Sequence, residues 1–321
     1  MRWILRLRAL ALAVGCLLLA SGVGAETVHK IGLSVWSGYP ESVAGFKAAL
    51  QAAGLREGIE VHYREGKSDG DPELQRNIVK AFRSDKVDLV YSLTTPGTIL
   101  VKEGMPDTTP VVFSIVTYPA DSGLIESFEY SGNNLVGTSN YVPTQHYVSL
   151  LKDLLPEVKK VAIFHRKGEP NSKIQAANMI RMFRRAKIKA VSVEASSLSE
   201  LFTLASQVEA QAFVTTTDTL MQDGGEEVLQ KVADTRGVPI LSSNKKGIEQ
   251  GSTFGPVADF FVLGRMAGEK AVDILLNGTR PSQLQSETQN PPLILANRRS
   301  FERLQLELPA TLEHRVLWVG E

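Results

Sequence analysis

Short apolar runs and helical stripes alternate along this chain. Residues 31–35 form a compact apolar run, the mark of a buried strand, and Val43, Phe46, Leu50 and Ala53 follow at helical spacing. Residues 59–63 predict a second strand. Residues 72–82 predict a helix, with Leu74, Ile78 and Phe82 on one stripe and Asp71 as its cap. A strand over 87–93, a short helix opening at 96–101 and a strand over 111–115 continue the alternation. Repeated β-α-β units imply a parallel sheet with helices on both faces.

The rhythm restarts after Val136. Helices over 144–154, 172–186, 198–208 and 226–235 alternate with strands over 161–164, 190–193, 212–215 and 239–241. The two halves share this rhythm but no repeated sequence. Beyond them the pattern predicts a strand over 252–255 and a long amphipathic helix over 260–276. Asn277-Gly278 stops that helix, and Pro281 follows. A strand over 293–295 and a short helix around Phe301 complete the chain. A tail after two full α/β units means that the chain crosses between the halves more than once. The expected fold class is therefore α/β: two Rossmann-like lobes with parallel sheets joined by a multi-strand hinge.

The N-terminus adds a destination. Arg2, Arg6 and Arg8 precede an apolar run over 9–20, too short for a comfortable membrane span, and Val23-Gly24-Ala25 offers the small residues that signal peptidase accepts. Cleavage after Ala25 is expected, with export to the periplasm. A lipoprotein reading at Cys16 is the weaker alternative. Gly15 suits it, but Ala13 stands where leucine is usual, and Leu17-Leu18-Leu19 continue the apolar run. Cys16 is the chain's single cysteine, so a product cut after Ala25 has no disulfide and no thiolate chemistry. About 296 of the 321 residues remain, enough for two cores. The whole chain is formally neutral, and losing three arginines leaves a net charge near −3. Nucleic-acid binding would need a basic surface, and no nucleic-acid partner is expected.

In open parallel sheets, ligands sit beyond the carboxyl ends of the strands, where helix N-termini present free N–H groups. Small polar residues recur there. Thr94 and Thr95 end one strand, Ser114 another, and Thr215-Thr216-Thr217-Asp218 a third; Glu169-Pro170-Asn171-Ser172 stands before a helix. Hydroxyls and helix N–H groups suit a carboxylate, and Asp218 suits an amine. Each position alone has the simpler reading of an N-cap; the recurrence in both halves favours binding. Trp36, Tyr39, Tyr118, Tyr141 and Phe254 lie near strand ends, where they could stack on a ligand or simply pack the lobes.

Signs of catalysis are missing from the sequence. No dinucleotide fingerprint, Walker loop or Gly-x-Ser-x-Gly elbow is present. His29, His62, His146, His165 and His314 make no ligand-spaced pair. No cofactor and no metal are expected, and an exported α/β enzyme is the minor alternative.

Taken in order, several stretches resemble the ABC-transporter substrate-binding proteins, in the branch with tryptophan- and tyrosine-binding members. They are Val87-Asp88-Leu89-Val90 leading to Thr94-Thr95-Pro96, Pro110 through Thr117 with Pro119, Gly123-Leu124-Ile125, Asn134 through Ser139, Leu154-Leu155-Pro156, Glu169-Pro170-Asn171-Ser172, Asp218 and Leu263-Gly264-Arg265. The resemblance implies a type I periplasmic-binding fold with three hinge crossings. It implies lobes of 27–138 plus 252–288 and 139–251 plus 289–321. It would place Thr95 and Ser114 on the ligand from one lobe, and Asn171, Ser172 and Asp218 from the other, with Asp218 meeting an amine. Three cleft loops depart from the pattern the resemblance implies: Tyr118-Pro119 stands where Asp-Pro is frequent, Trp36-Ser37-Gly38-Tyr39-Pro40 replaces a histidine-proline type, and the segment before Glu169, with His165-Arg166-Lys167, is one residue longer than usual. The expected function is capture of a small molecule, an amino acid or similar metabolite, by a monomer that closes on it and delivers it to an ABC permease. A sensor handing its closed state to a membrane receptor is the alternative within the binding class.

Overall fold

The computed structural model describes residues 28–321. The expected signal peptide and Cys16 lie outside the described residues.

The first lobe is a six-stranded sheet of β1 (His29–Val35), β2 (Val61–Lys67), β3 (Leu89–Leu93), β4 (Val111–Ser114), β5 (Leu135–Ser139) and β11 (Glu287–Thr288). Its order is β11-β5-β4-β3-β1-β2, and every pair is parallel. Parallel neighbours need crossover helices, which cover both faces. On one face, α1 (Pro40–Ala52) and α9 (Phe260–Asn277) bury Phe46, Leu50, Ala267 and Ile274 against Leu33, Tyr91 and Val112. The Phe46 and Tyr91 rings stack there at 4.0 Å. On the other, α2 (Pro72–Ser84) and α3 (Thr95–Gly104) bury Val79, Phe82 and Val101 against Val90 and Phe113.

The second lobe is a seven-stranded sheet of β6 (Lys160–Arg166), β7 (Lys189–Ala195), β8 (Ala212–Thr215), β9 (Ile240–Leu241), β10 (Phe254–Val257), β12 (Leu293–Asn297) and β13 (Val316–Val319). The order is β13-β12-β10-β9-β8-β6-β7, with β10–β12 the one antiparallel pair. One face carries α4 (Thr144–Leu154), α5 (Pro170–Arg185) and α10 (Arg298–Leu304) through Leu151, Phe183 and Phe301. The opposite face carries α6 (Leu198–Gln207) and α7 (Glu226–Arg236) through Leu201 and Leu229.

The chain passes between the sheets three times, over residues 140–143, 258–259 and 289–292. Residues 252–257, expected with the first lobe, stand in the second. Their strand β10 pairs with β9 on one side and β12 on the other, and Phe254 is fully buried in that lobe's core. The second strand also starts later than the expected 59, because β1 fixes the register at His29↔Val61 and leaves Ile59 exposed in the preceding turn.

Glycines set how closely α1 and α9 approach. A Cβ on Gly264 would stand 2.0 Å from the Ser42 carbonyl oxygen, and one on Gly45 2.1 Å from that of Phe261. Backbone cannot yield as a flexible side chain does. Gly264→Ala should therefore destabilise the protein by about 1–3 kcal/mol, read as a lower midpoint in urea unfolding.

Candidate functional site

The carboxyl ends of β1, β3 and β4 in the first lobe face those of β6 and β8 in the second. Between them lies a cavity of about 10 Å³, room for about one water. Tyr39, Thr94, Thr95 and Ile115 line it from the first lobe, Glu169, Asn171 and Asp218 from the second, and Asn140 from the hinge. Thr217, Thr219 and Gln222 complete the second wall.

The first wall is built from strained backbone. Tyr39, Thr94 and Ile115 all have positive φ, at 132°, 69° and 56°. Thr94 pairs its φ with a ψ of 159°, a region that essentially only glycine occupies. The neighbouring strand holds it there, through the Thr94 N–H donating to the Ser114 carbonyl at 3.1 Å. The result puts the uncapped N-terminus of α3 at the cavity. The Oγ1 atoms of Thr94 and Thr95 are buried with no hydrogen-bond partner, so neither hydroxyl serves the cap role that sequence alone allowed. Helices α1 and α5 also start at the cavity, after Tyr39 and Glu169, without a side-chain cap. Helices α2, α6, α9 and α10 are side-chain capped by Asp71, Ser197, Asp259 and Asn297. Free N–H groups at a helix start, with the positive end of its dipole, favour an anion.

The second wall is rich in acceptors. Asp218 joins two strand ends: its Oδ2 accepts from the Arg166 N–H at 3.0 Å and Thr216 Oγ1 at 2.6 Å, and its Oδ1 from the Met221 N–H at 2.9 Å. Glu169 Oε2 accepts from the Thr219 N–H at 3.2 Å and its hydroxyl at 2.7 Å. Asn171 donates to the Thr217 carbonyl at 2.8 Å, which leaves its Oδ1 buried without a partner; Asn140 Oδ1 is likewise unpartnered. Burial, and then the neighbouring Glu169 charge, push the Asp218 carboxyl up to about 7. Burial raises Glu169 too, against hydrogen bonds from Thr219 and Asn171 and the Arg166 guanidinium 4.0 Å away. Two carboxyls held reluctant to ionise side by side attract a cation.

Among the expected site residues, Thr94, Thr95, Glu169, Asn171 and Asp218 come together here, and six others stand apart. Ser114 lies in a hydroxyl chain inside the first lobe, 3.1 Å from Ser42 Oγ and accepting from Thr138 Oγ1 at 3.0 Å. Ser172 donates to the Arg166 carbonyl at 2.7 Å, bracing the loop. Phe254 packs on Phe301 in the second core. Trp36 packs beneath the start of α3, where a Cβ on Gly97 would come within 2.8 Å of it. Tyr118 and Tyr141 pair with each other, ring centroids 5.4 Å apart, outside the cavity lining. Sequence reasoning missed Ile115, Asn140, Thr219 and Gln222. Asn140 is placed by the first hinge crossing, and Thr219 is recognisable only through its partner Glu169. No group of three or more metal-ligating side chains is assembled among the described residues.

Relief of the Thr94 strain gives a direct expectation. Thr94→Gly should raise the stability of the ligand-free protein by about 1 kcal/mol, from strain of about 1–3 kcal/mol offset by glycine's extra chain entropy. It should also weaken ligand binding; a melting curve and a titration read the two effects.

Comparison with known proteins agrees with this architecture. A family model for ABC transporter substrate binding proteins matches residues 37–317. The tyrosine-binding protein of Clostridioides difficile (strain R20291) is 27% identical over 283 residues, 87% of this chain and 81% of that protein. The ABC domain in complex with L-Trp from Streptococcus pneumonia superposes with a TM-score of 0.85 at 22% identity, covering 91% of this chain and 100% of that one. A ligand-free, open substrate binding protein with adhesive properties from Clostridium difficile gives 0.73 at 25% identity, over 91% and 99%. The two lobes have the type I periplasmic-binding fold, and the chain belongs to the family of ABC transporter substrate binding proteins.

Proposed function

We propose that this protein captures an α-amino acid outside the cytoplasmic membrane and delivers it to an ABC permease. One observation carries the reading: unpartnered hydroxyls and a bare helix start form one wall of the cleft, and a carboxyl pair with free amide oxygens forms the other. A zwitterion satisfies both at once. Its carboxylate would accept from Thr94, Thr95 and the N–H groups of α3. Its ammonium would lie against Glu169 and Asp218, with Asn171 Oδ1 and Asn140 Oδ1 as further acceptors. Buried polar atoms without partners are rare in native proteins, and several around one cavity argue for a ligand that pairs them. One relative is a tyrosine-binding protein and another is solved in complex with L-Trp, both amino acids.

The mechanism follows from the hinge. A cavity of about 10 Å³ admits no amino acid, so the ligand enters when the lobes part about the three crossings. Contacts to both walls then favour the joined form, and a ligand shifts the equilibrium by its differential affinity for it. The closed monomer is the species that a permease would read.

A thermal-shift panel of the amino acids tests the class. At a concentration 100-fold above Kd, a true ligand stabilises by about 2.7 kcal/mol, roughly 4–5 °C for a chain of this size. Native mass spectrometry should find the compound bound and chemically unchanged. A stabiliser recovered as a converted product would sink the binding reading in favour of an enzyme.

A further inference from the structure

A second hollow adjoins the candidate site. It is an open groove of about 280 Å³ between the same two lobes. Gly38, Tyr39, Pro40 and Phe260 line it from the first lobe, Met221 and Gln222 from the second. Tyr39 and Gln222 line both the groove and the inner cavity, so these two side chains are the partition between them. The partition is constructed with care. Tyr39 sits at a φ of 132° and ψ of 52°, and its ring meets Phe260 edge-on at 5.5 Å. Met221 and Gln222 stand just before a break in the helical backbone, where Asp223 has a ψ of 44° and Gly224 a φ of 104°. The floor is fixed by Glu226, which accepts from Thr215 Oγ1 at 2.9 Å, Ser242 Oγ at 2.8 Å and Ser252 Oγ at 2.6 Å. The groove is thus preformed, where the inner cavity is nearly shut.

We propose that this groove is a second subsite of the same ligand, and that the ligand is an amino acid whose side chain extends beyond a single aromatic ring. This rests on the amino-acid reading above. The head group would sit between the two walls of the inner cavity once the lobes have parted to admit it, and the side chain would leave between Tyr39 and Gln222. Its apolar stem lies on Pro40, Met221 and Phe260, and its end reaches a charged rim that includes Glu41, Lys245 and Glu249. A pocket that binds a small ligand is mostly apolar with a few fixed polar groups, and the inner cavity alone supplies only the polar half of that description.

Gly38 makes the inference testable. A Cβ there meets no heavy atom within 4 Å, and its backbone lies outside the left-handed region, so a large side chain is tolerated. Gly38 lines the groove but not the inner cavity. Calorimetric titration of the full-length mature protein with L-tyrosine and O-benzyl-L-tyrosine, before and after Gly38→Trp, separates the two levels. The wild type should bind the benzyl ether at least as tightly as tyrosine. Gly38→Trp should weaken the ether by about tenfold or more and leave tyrosine within about threefold. Gly38→Leu gives the same ordering with a smaller loss, and an unchanged melting temperature shows that either variant folds. If the wild type binds tyrosine but rejects the ether, or if the ether is indifferent to both substitutions, the subsite is overturned and the amino-acid reading stands. If neither compound binds and no other amino acid stabilises the protein, that reading fails and the subsite with it.

Discussion

Replacing Asp218 by alanine should lower the affinity for an amino acid by about 30-fold to several thousand-fold, the 2–5 kcal/mol that follows when one partner of a buried charge pair is removed. The residue acts twice. Its charge faces the cleft beside Glu169. Its oxygens also tie the Arg166, Thr216 and Met221 donors at the ends of β6 and β8. Alanine removes that acceptor from the Arg166 and Met221 N–H groups, at about 1–3 kcal/mol each if water does not reach them, while Thr216 Oγ1 keeps the Phe164 carbonyl at 3.4 Å, so the apoprotein should melt lower as well. Asp218→Asn separates the roles: it keeps an acceptor for part of that network and removes the charge. It should fold nearly as well as the wild type and still lose most of the ligand affinity. Titration calorimetry beside urea unfolding of both variants reads this split.

Raising the pH from 6 to 8 should destabilise the ligand-free protein and tighten its grip on an ammonium ligand. The Asp218 carboxyl is raised from an ordinary 3.8 to about 7 by burial and by Glu169. The folded form therefore binds a proton more readily than the unfolded chain does. Its stabilising contribution is fully present below about pH 4 and is lost as pH rises through about 7. Across pH 6–8 the loss is on the order of 1.4 kcal/mol. Glu169, also raised, adds in the same direction. His165 works the other way: burial lowers it, so its contribution is lost as pH falls through the ordinary histidine range. Asp218→Asn should flatten the fall between pH 6 and 8. An ammonium in the cleft favours the ionised carboxyls, so binding near pH 7 should expel a proton, seen as a binding enthalpy that tracks the ionisation enthalpy of the buffer. A Tm that rises over this interval, with no proton released on binding, would contradict the acidic wall.

Much of this was legible in the sequence because local rules agree with the fold. The β-α-β rhythm and the caps at Asp71 and Asn277-Gly278 come from period and turn chemistry, which act within a few residues. The strand-end residues Thr94, Thr95, Glu169, Asn171 and Asp218 were legible for the same reason, since a parallel sheet puts all such loops at one edge. What remained hidden depends on contacts distant in sequence. The side of the hinge on which 252–257 falls is decided by pairing with β9 and β12, 13 and more residues away. Ser114 and Ser172 are chemically indistinguishable from Thr94 until their partners Ser42, Thr138 and Arg166 are seen. Asn140 and Thr219 join the site only when two lobes meet. The first loop is the instructive case. Residues 36–40 supply Tyr39, which lines both the inner cavity and the outer groove.

The central claim is that the cleft recognises both ends of an amino-acid head group, and comparing L-tyrosine with tyramine and N-acetyl-L-tyrosine by titration calorimetry tests it most directly. Tyramine lacks the carboxylate that the first wall would hold, and N-acetyl-L-tyrosine lacks the ammonium that the second would hold. The result expected is binding of tyrosine, with each of the other two weakened by about 100-fold or more. Binding of tyramine or of N-acetyl-L-tyrosine as tight as that of tyrosine would contradict the assignment of the corresponding wall, and with it the reading of this protein as an amino-acid receptor.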